Sequence, residues 1–526
     1  MAIASDLAIG SFSDTPPWEV RPETFTWRAD VEALRAATRA EVPMLIRRRA
    51  VPPLGRFVVT GGRLGSALTR WFVRDRRAGG DVSGGGLSRR LRVAFERLGP
   101  TYIKLGQIIS SGEGLFPEYL VDEFKLCRDK VPPESFAAVR RVVEEELGKP
   151  LEAVFATFET TPIAAASIAQ VHRATLQTGE DVVVKVQRPQ VQTLVRRDIR
   201  AMAWVAPLLI GRIPVAALAN PPALVEVFAE TITEELDFRL EAQNMLDIAR
   251  VLAETEQRIL VVPRPHPELV TRRLLVMERL DGFAFDDVDG VQRAGIDTVE
   301  MLKAGIVAFL EGALFYGVFH GDLHGGNLFI RPDGRIALLD YGMTGRLEER
   351  NRLGFVRLLV SAGINDVRGQ LGALRDLGAL PLDTDLDVVI ADLGLDKPLQ
   401  DPTQMSVDDL VGELQRLIKA LLGYGARLPK PLMLFVKNML FMDGAILLHA
   451  PEIDLLTEVI GISAYFTETH GERLAQEAGI DPEALQVDLD GIKASLGLAD
   501  VEALSYRDLQ SRRDLIRRRF RDAKPR

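Results

Sequence analysis

Apolar residues recur with two different spacings along this chain, and the places where the spacing changes divide it. From residue 1 to about 50, short polar runs alternate around Pro16-Pro17 and predict a loosely attached leader that ends in a helix. Glycines at 79, 80, 84, 85 and 86 mark a flexible break. Beyond it Leu87 to Glu96 reads as an amphipathic helix, and helical periodicity returns in Leu98 to Lys104 and in Tyr119 to Cys127, stopping at Val131-Pro132-Pro133. From Leu151 to Met277 the chain turns to short β-rich runs, with Asp181 to Val186 and Leu274 to Glu278 as the clearest strands. Between them, Leu224 to Leu252 predicts one long helix carrying Glu234, Glu235, Asp237 and Glu241. Helical spacing dominates from Val299 onward, interrupted by a polar, glycine-rich stretch from His320 to Gly345. Past Pro451 further helices run to the end without an internal repeat. Five segments follow: a leader with helices, 1–86; a helical extension, 87–150; a β-rich lobe, 151–290; a helical lobe, 291–450; and a helical C-terminal extension with a basic tail, 451–526.

Composition narrows the class. A chain of 526 residues with 47% hydrophobic and 26% charged positions has ample material for large cores. Cys127 is its one cysteine, which excludes an internal disulfide framework and a cysteine zinc site, suits a reducing compartment, and predicts a buried small hydrophobe. The N-terminus lacks the basic start and apolar core of a secretory signal, so the expectation is a cytoplasmic protein. A spanning helix needs about 18 apolar residues. Ala201 to Val225 contains Pro207, Pro214, Pro221 and Pro222 and predicts a loop or short helices, while Ala304 to Phe319 and Leu432 to His449, interrupted by charges, predict buried helices.

Charge narrows it further. A net charge of −9 argues against nucleic-acid binding. Ser511 to Arg526, however, carries eight basic residues against Asp514 and Asp522, and Arg70 to Arg77 interleaves arginines with Trp71 and Phe72. Either patch suits a solvated helix face or an anionic membrane surface, and the second option places the protein peripherally at the inner face of the membrane.

The polar stretch holds the candidate chemistry. Asp322 and Asn327 have the Asp-x4-Asn spacing in which a carboxylate receives a proton or orients a nucleophile while the amide turns to a metal, with His320 and His324 framing the loop. Asp340 follows the apolar run Ile336 to Leu339 and precedes Tyr341-Gly342, so its carboxylate emerges at a strand end. Asn327 and Asp340 supply hard oxygen ligands of the kind Mg²⁺ takes. Lys185 lies in an apolar strand, where a buried ammonium needs an anionic partner. Glu235 is the expected partner, with Asp237 and Glu241 nearby on the same helix. No glycine-rich loop precedes Lys185. Ala164-Ala165-Ala166-Ser167 stands in its place, and alanine restricts the backbone relative to glycine. The ordered set is that of a protein-kinase-like phosphoryl-transfer site using ATP and Mg²⁺.

Lys104-Leu-Gly106-Gln107, followed by Ile-Ile-Ser110, Leu115 to Tyr119 and Val131-Pro132-Pro133, makes the resemblance specific. The chain resembles the UbiB/AarF/ADCK family of atypical protein-kinase-like proteins from about Leu91 to Arg346. The alanine-rich loop, Ser167 to His172, Glu235 to Asn244 and the His-Gly-Asp-x-His loop also match. This resemblance implies an α+β, bilobal protein-kinase-like fold with an N-terminal helical KxGQ extension and a helical C-terminal extension. It implies catalytic roles for Asp322, Lys185 and Glu235, and nucleotide binding by Ala164 to Ser167, Lys185 and Glu241. Regulatory roles fall to Lys104, Gly106, Gln107 and Asp237, with Lys104 meeting Glu235 and Asp237, and Gln107 filling the place of a protein substrate. The activity implied is ATP hydrolysis or phosphorylation of a lipid or quinone-precursor-like molecule, in support of isoprenoid-quinone (ubiquinone) or membrane-lipid metabolism. Two departures stand out: Ser110-Ser111-Gly112 lacks the arginine of the family's Ser-x-Arg, and Asp340-Tyr-Gly replaces Asp-Phe-Gly. Two rival readings stay open, a small-molecule phosphotransferase of the aminoglycoside or choline kinase type and a nucleotide-binding pseudokinase scaffold.

Overall fold

The computed structural model of the protein describes residues 11–48, 55–75, 85–110, 118–126, 131–209, 221–364, 366–395, 424, 426, 429–478, 505–511 and 514. Two compact units divide the chain. The first takes Met1–Glu254, Val261–Asp281 and Ala337–Thr344, and the second takes Thr255–Leu260, Gly282–Ile336 and Gly345–Arg526. Cys127, Gly112 and nearly all of the basic tail lie outside the described residues.

In the first unit, helices α1 (Val31–Ile46), α2 (Arg56–Arg70), α3 (Gly85–Leu98), α4 (Pro100–Ser110), α5 (Glu118–Lys125) and α6 (Phe136–Leu147) precede an antiparallel sheet. Its strands are β1 (Phe155–Phe158), β2 (Ala164–Ala165), β3 (Ala169–Leu176), β4 (Asp181–Gln187), β5 (Pro265–Val270) and β6 (Leu274–Glu278). They run in the order β1-β3-β4-β6-β5, with β2 paired to β3. The valine run of β4 explains its central place, since β-branched side chains suit a pleated surface packed on both faces. Alternation sends Val182, Val184 and Val186 into the core formed with Val139, Val143 and Val276. Lys185, between two of those valines, is therefore carried to the opposite face.

Helices α7 (Val191–Leu209), α8 (Pro221–Glu234) and α9 (Phe238–Glu254) complete this unit. The single long helix expected over Leu224–Leu252 is two helices, broken at Glu235-Leu236-Asp237. Two local causes act together. Thr231 and Thr233 bond back to the carbonyls of Val227 and Ala229, an alternative that competes with helix propagation. The break is then held from outside, because Gln187 and Gln192 donate to the Leu236 carbonyl while the Phe238 amide donates to Arg272. Of the Ala201 to Val225 stretch, expected as a loop or short helices, Ala201 to Leu209 closes the long α7 with Pro207 inside it, α8 starts at Pro221, and residues 210–220 lie outside the described residues.

From Ser11 to Arg48 the leader is not loose. Phe12, Val20, Phe25 and Trp27 are buried. Trp18 and Trp27 donate their indole N–H groups to the carbonyls of Pro265 and His266 at 3.1 and 3.2 Å, which covers β5, the edge strand of the sheet. Arg264 and Glu278, buried at 3.0 Å from each other, share Ser13.

The second unit is mainly helical, with α10 (Thr298–Glu311), α11 (Glu349–Gly363), α12 (Val367–Asp376), α13 (Leu386–Leu393), α14 (Lys430–His449) and α15 (Leu455–Ala478). Strand β7 (Phe283–Ala284) pairs with β9 (Leu328–Ile330), and β8 (Val318–His320) leads into the polar loop. A π-helical turn at Gly312–Tyr316 follows α10 and ends at Gly317, whose φ of 65° and whose approach to the Leu347 carbonyl exclude a side chain. Phe309, Phe319, Phe355 and Phe435 form the core, the Phe355 and Phe435 rings 4.7 Å apart. Among the described residues α14 is the one helix long and apolar enough to cross a membrane. Leu432, Leu434, Phe435 and Met442 enter this core, whereas Met439, Leu440, Leu447 and Leu448 are exposed, so the helix expected to be buried is buried along one side only.

Candidate active site

Helix α9 is buried on nearly every side, yet Glu241, Gln243 and Asn244 sit within it. Buried polar groups need partners, and each finds one. Gln243 accepts from Arg28 at 3.0 Å and donates to Asp247 at 2.7 Å. Asn244 donates to the Tyr341 carbonyl at 2.9 Å and accepts from Arg35 at 3.2 Å, so α1 and its approach brace α9 from behind. Glu241 takes Lys185, whose ammonium donates to Glu241 Oε1 at 2.7 Å and to Asp340 Oδ1 at 3.2 Å. The Gly342 amide, at 2.9 Å, fixes the same Asp340 oxygen. Gly342 is tight against it: a Cβ there would meet Asp340 Oδ1 at 3.1 Å and Glu235 Cγ at 3.4 Å.

Glu241, and not Glu235, is thus the carboxylate on Lys185. Glu235 sits in the turn before α9 and pairs with Lys104 of α4 at 3.0 Å. The reason is the break: once the helix restarts at Phe238, Glu241 lies one turn inside it and faces β4, whereas Glu235 precedes it. Asp237 is held by Arg239 at 2.8 Å. Gly106 is buried within α4, and the Gln107 carbonyl accepts from Ser110 at 2.8 Å.

Burial alone would raise the Asp340 carboxyl, but Lys185 and Lys104 outweigh it and hold the group well below the usual carboxylate range. Burial opposes the charge on Lys185, and its two carboxylates outweigh that and push it up. Glu241 goes the other way: burial, aided by Asp340, pushes it up to about 7 against the pull of Lys185. A raised carboxyl means that the folded chain keeps a proton between the ordinary value of 4.5 and about 7 that the unfolded chain has released. Its contribution to stability therefore declines as pH rises through that window. Lys185 and Asp340 are charged throughout it and add no slope. Relative to Glu241→Gln, the wild type is expected to lose stability between pH 5 and pH 7 and then level off, read from urea midpoints of the two proteins. Parallel midpoint curves would remove Glu241 as the titrating group.

The alanine-rich loop is a strand at one end and a turn at the other. Ala164 pairs with Val171 and Ala165 with Gln170, while Ala166 donates to the Ala169 carbonyl at 2.8 Å and Ser167 is buried. Arg188 ties it down, donating to the Ala166 carbonyl, the Pro132 carbonyl and Glu134, each at 3.0 Å. Sequence reading missed Arg188, although an arginine ending a strand of this kind is the sort of group that seeks carbonyls.

In the second unit the polar loop is ordered by its own histidines and by α14. His320 accepts from the Asp322 amide and His324 from the Gly326 amide, both at 3.2 Å. Asn327 donates its amide to the Asp322 carbonyl at 3.1 Å, which directs the amide oxygen away. Asn438 accepts from the Leu323 amide at 3.1 Å and donates to the His320 carbonyl. Its neighbour Lys437 is salt-bridged to the Asp322 carboxylate. Neither was foreseen; adjacent Lys and Asn in an otherwise apolar helix were the available signal.

Among the described residues no group of three His, Cys, Asp or Glu side chains forms a metal cage. Mg²⁺ does not require one, since it is held by one or two protein oxygens together with phosphates and water. The Asp340 carboxylate and the Asn327 amide oxygen have the chemistry for that, each within its own unit.

Comparison with known proteins gives the family. Residues 126–371 match the ABC1 atypical kinase-like domain. An uncharacterized protein of Mycobacterium tuberculosis is 34% identical over 431 residues, covering 80% of this chain and 86% of that protein. A chloroplastic aarF domain-containing protein kinase of Arabidopsis thaliana is 33% identical, covering 70% of this chain and 73% of its own length. UbiB of Vibrio cholerae is 31% identical over 380 residues, covering 70% and 68%. A solved Mycobacterium tuberculosis protein in complex with erythromycin is similar at a TM-score of 0.37 and 22% identity, over 62% of this chain and 89% of that one. On the strength of the domain match and of relatives aligned over most of their length, the chain belongs to the ABC1 (UbiB/AarF) family of atypical kinase-like proteins.

Proposed function

We propose that this chain binds ATP with Mg²⁺ and turns it over, by hydrolysis or by transfer to a lipid or quinone-precursor-like small molecule, at an anionic membrane surface on the cytoplasmic side. The observation that carries the reading is the Lys185 ammonium bridging Glu241 and Asp340. A buried cation held by a helix carboxylate and by the Asp of an Asp-x-Gly turn is the device that positions α and β phosphates in kinases. A chain that only scaffolds partners has no need of it.

Within the reading, Lys185 neutralises and orients the phosphates, and Glu241 fixes its direction. The Asp340 carboxylate and the Asn327 amide oxygen are the groups that would serve as Mg²⁺ ligands, and the ion would offset charge on the phosphates. Asp322 receives the proton of the attacking hydroxyl or water. The alanine-rich loop, pinned by Arg188, covers the nucleotide with fewer flexible amides than a glycine loop would offer. Lys104 on Glu235 ties the KxGQ helix to the turn before α9, a regulatory contact. The link to isoprenoid-quinone or membrane-lipid metabolism rests on the family and on the basic segments.

Purified protein is expected to release phosphate from ATP in a Mg²⁺-dependent way, faster with anionic vesicles than with neutral ones at low salt. Absence of turnover together with measurable ATP binding would favour the scaffold. Incorporation of label into an aminoglycoside or choline would favour the small-molecule phosphotransferase.

A further inference from the structure

Helices α2, α3, α4, α5, α7 and α8 of the first unit line a partly open cavity of about 120 Å³ that no step of the proposed reaction uses. Leu64, Leu68, Phe95, Leu105, Val205 and Ala206 are among its walls. Its polar lining is confined to Thr60 and Tyr102, whose hydroxyls hydrogen-bond to each other at 2.8 Å. Apart from the one hydrogen bond these hydroxyls share, the lining is hydrocarbon, and cavities lined in that way stay dry and take hydrocarbon guests. A charged or strongly polar ligand would lose its hydration without a partner. The occupant this lining fits is therefore a stretch of hydrocarbon chain.

The wall itself indicates the source of that hydrocarbon. Helix α2 turns Thr60, Leu64 and Leu68 inward, at a spacing of one helical turn. On its outer side, and in the π-helical turn Trp71–Asp75 that follows, Val58, Val59, Phe72 and Val73 are exposed at 62, 40, 48 and 49%. Arg63 and Arg70 lie among them. Apolar side chains interleaved with arginines are the chemistry of a bilayer interface. We infer that the cavity receives the hydrocarbon tail of a membrane lipid, presented through the α2 face.

The cavity also touches the nucleotide machinery. Tyr102, Leu105 and Ile109 line it from α4, along one stripe, and the same helix carries Lys104 to Glu235. A tail seated there bears on the helix that holds Glu235, so occupancy alters turnover; this regulatory half rests on the proposed ATP chemistry, whereas the binding site does not.

Trp71 packs against Leu87 together with Leu68, Leu91 and Leu209, and those three leucines line the cavity, so its indole reports on it. Full-length protein is titrated with 6-bromohexanol, whose bromine quenches indole fluorescence on contact. Saturable quenching is expected, absent in Trp71→Phe and removed by Ala206→Phe, which fills the space. Unbrominated n-alkanols should compete, with affinity rising roughly fourfold per methylene up to a cut-off. In Leu68→Ala, which enlarges the cavity, the cut-off should move to longer chains. That second variant keeps the test decisive if Ala206→Phe does not fold. Linear, unsaturable quenching in wild type and both variants overturns the site. Vesicles brominated near the acyl-chain ends should quench wild type more than Ala206→Phe; quenching by the alcohol alone overturns the lipid source. ATP hydrolysis measured alongside should respond to n-hexanol in wild type and not in Ala206→Phe. If the chain hydrolyses no ATP at all, the quenching result stands unaffected.

Discussion

Asp340→Asn is expected to abolish the Mg²⁺-dependent part of ATP binding, lowering affinity by roughly a hundredfold. The substitution preserves shape and the bond from the Gly342 amide, so the loss is of charge. In the wild type that charge is secured: Lys185 and Lys104 keep the carboxyl ionised despite the protein around it. Asparagine leaves Lys185 with Glu241 alone, and a neutral amide oxygen is a weak ligand for a hard divalent cation. Calorimetric titration with ATP in Mg²⁺ and in EDTA checks it. The wild type should bind far more tightly in Mg²⁺, the variant equally weakly in both, and an unchanged Mg²⁺ dependence would sink the assignment.

Much of this site was legible because its chemistry is written in local patterns. Lys185 stood out as a charge in a valine run, and alternation on β4 does carry it away from the core face. Asp322, Asn327 and Asp340 were legible by spacing alone, and the structure places each at the end of a short strand or in the loop between strands. The partner of Lys185 was not legible in that way. Glu235 and Glu241 are six residues apart in one helical pattern, and the choice between them turns on a break caused by threonine back-bonding and by glutamines from β4 and α7. Neither glycine nor proline marks it. The leader was misread for a related reason: Trp18 and Trp27 are scattered among polar residues, and only the bare carbonyls of the edge strand β5 make them anchors. Fold-level contacts with sequence separations above two hundred residues leave no trace in a local period.

Lys437 is the clearest case, separated from Asp322 by 115 residues and outside the matched domain, yet salt-bridged to the carboxylate proposed to receive the proton. Asn438 beside it binds the same loop through backbone groups, so the two have separable duties. Asn438→Ala should lower the melting temperature by removing a buried donor and acceptor together, a cost of about 1–3 kcal/mol. Lys437→Met keeps the methylene stem against α14's neighbours and removes only the ammonium. Charge builds on the transferred phosphoryl oxygens in the transition state, and a preorganised cation beside Asp322 acts where that charge develops. Loss of one such donor costs about 10²–10³ in kcat, so Lys437→Met should lower ATP turnover by roughly that factor while the KM for ATP stays within about threefold, and Lys437→Arg should recover part of the rate. Steady-state phosphate release by the three proteins at matched thermal stability decides it. Full turnover in Lys437→Met would reduce the ion pair to a brace for the loop, and an equal loss in the arginine variant would point to packing instead of charge.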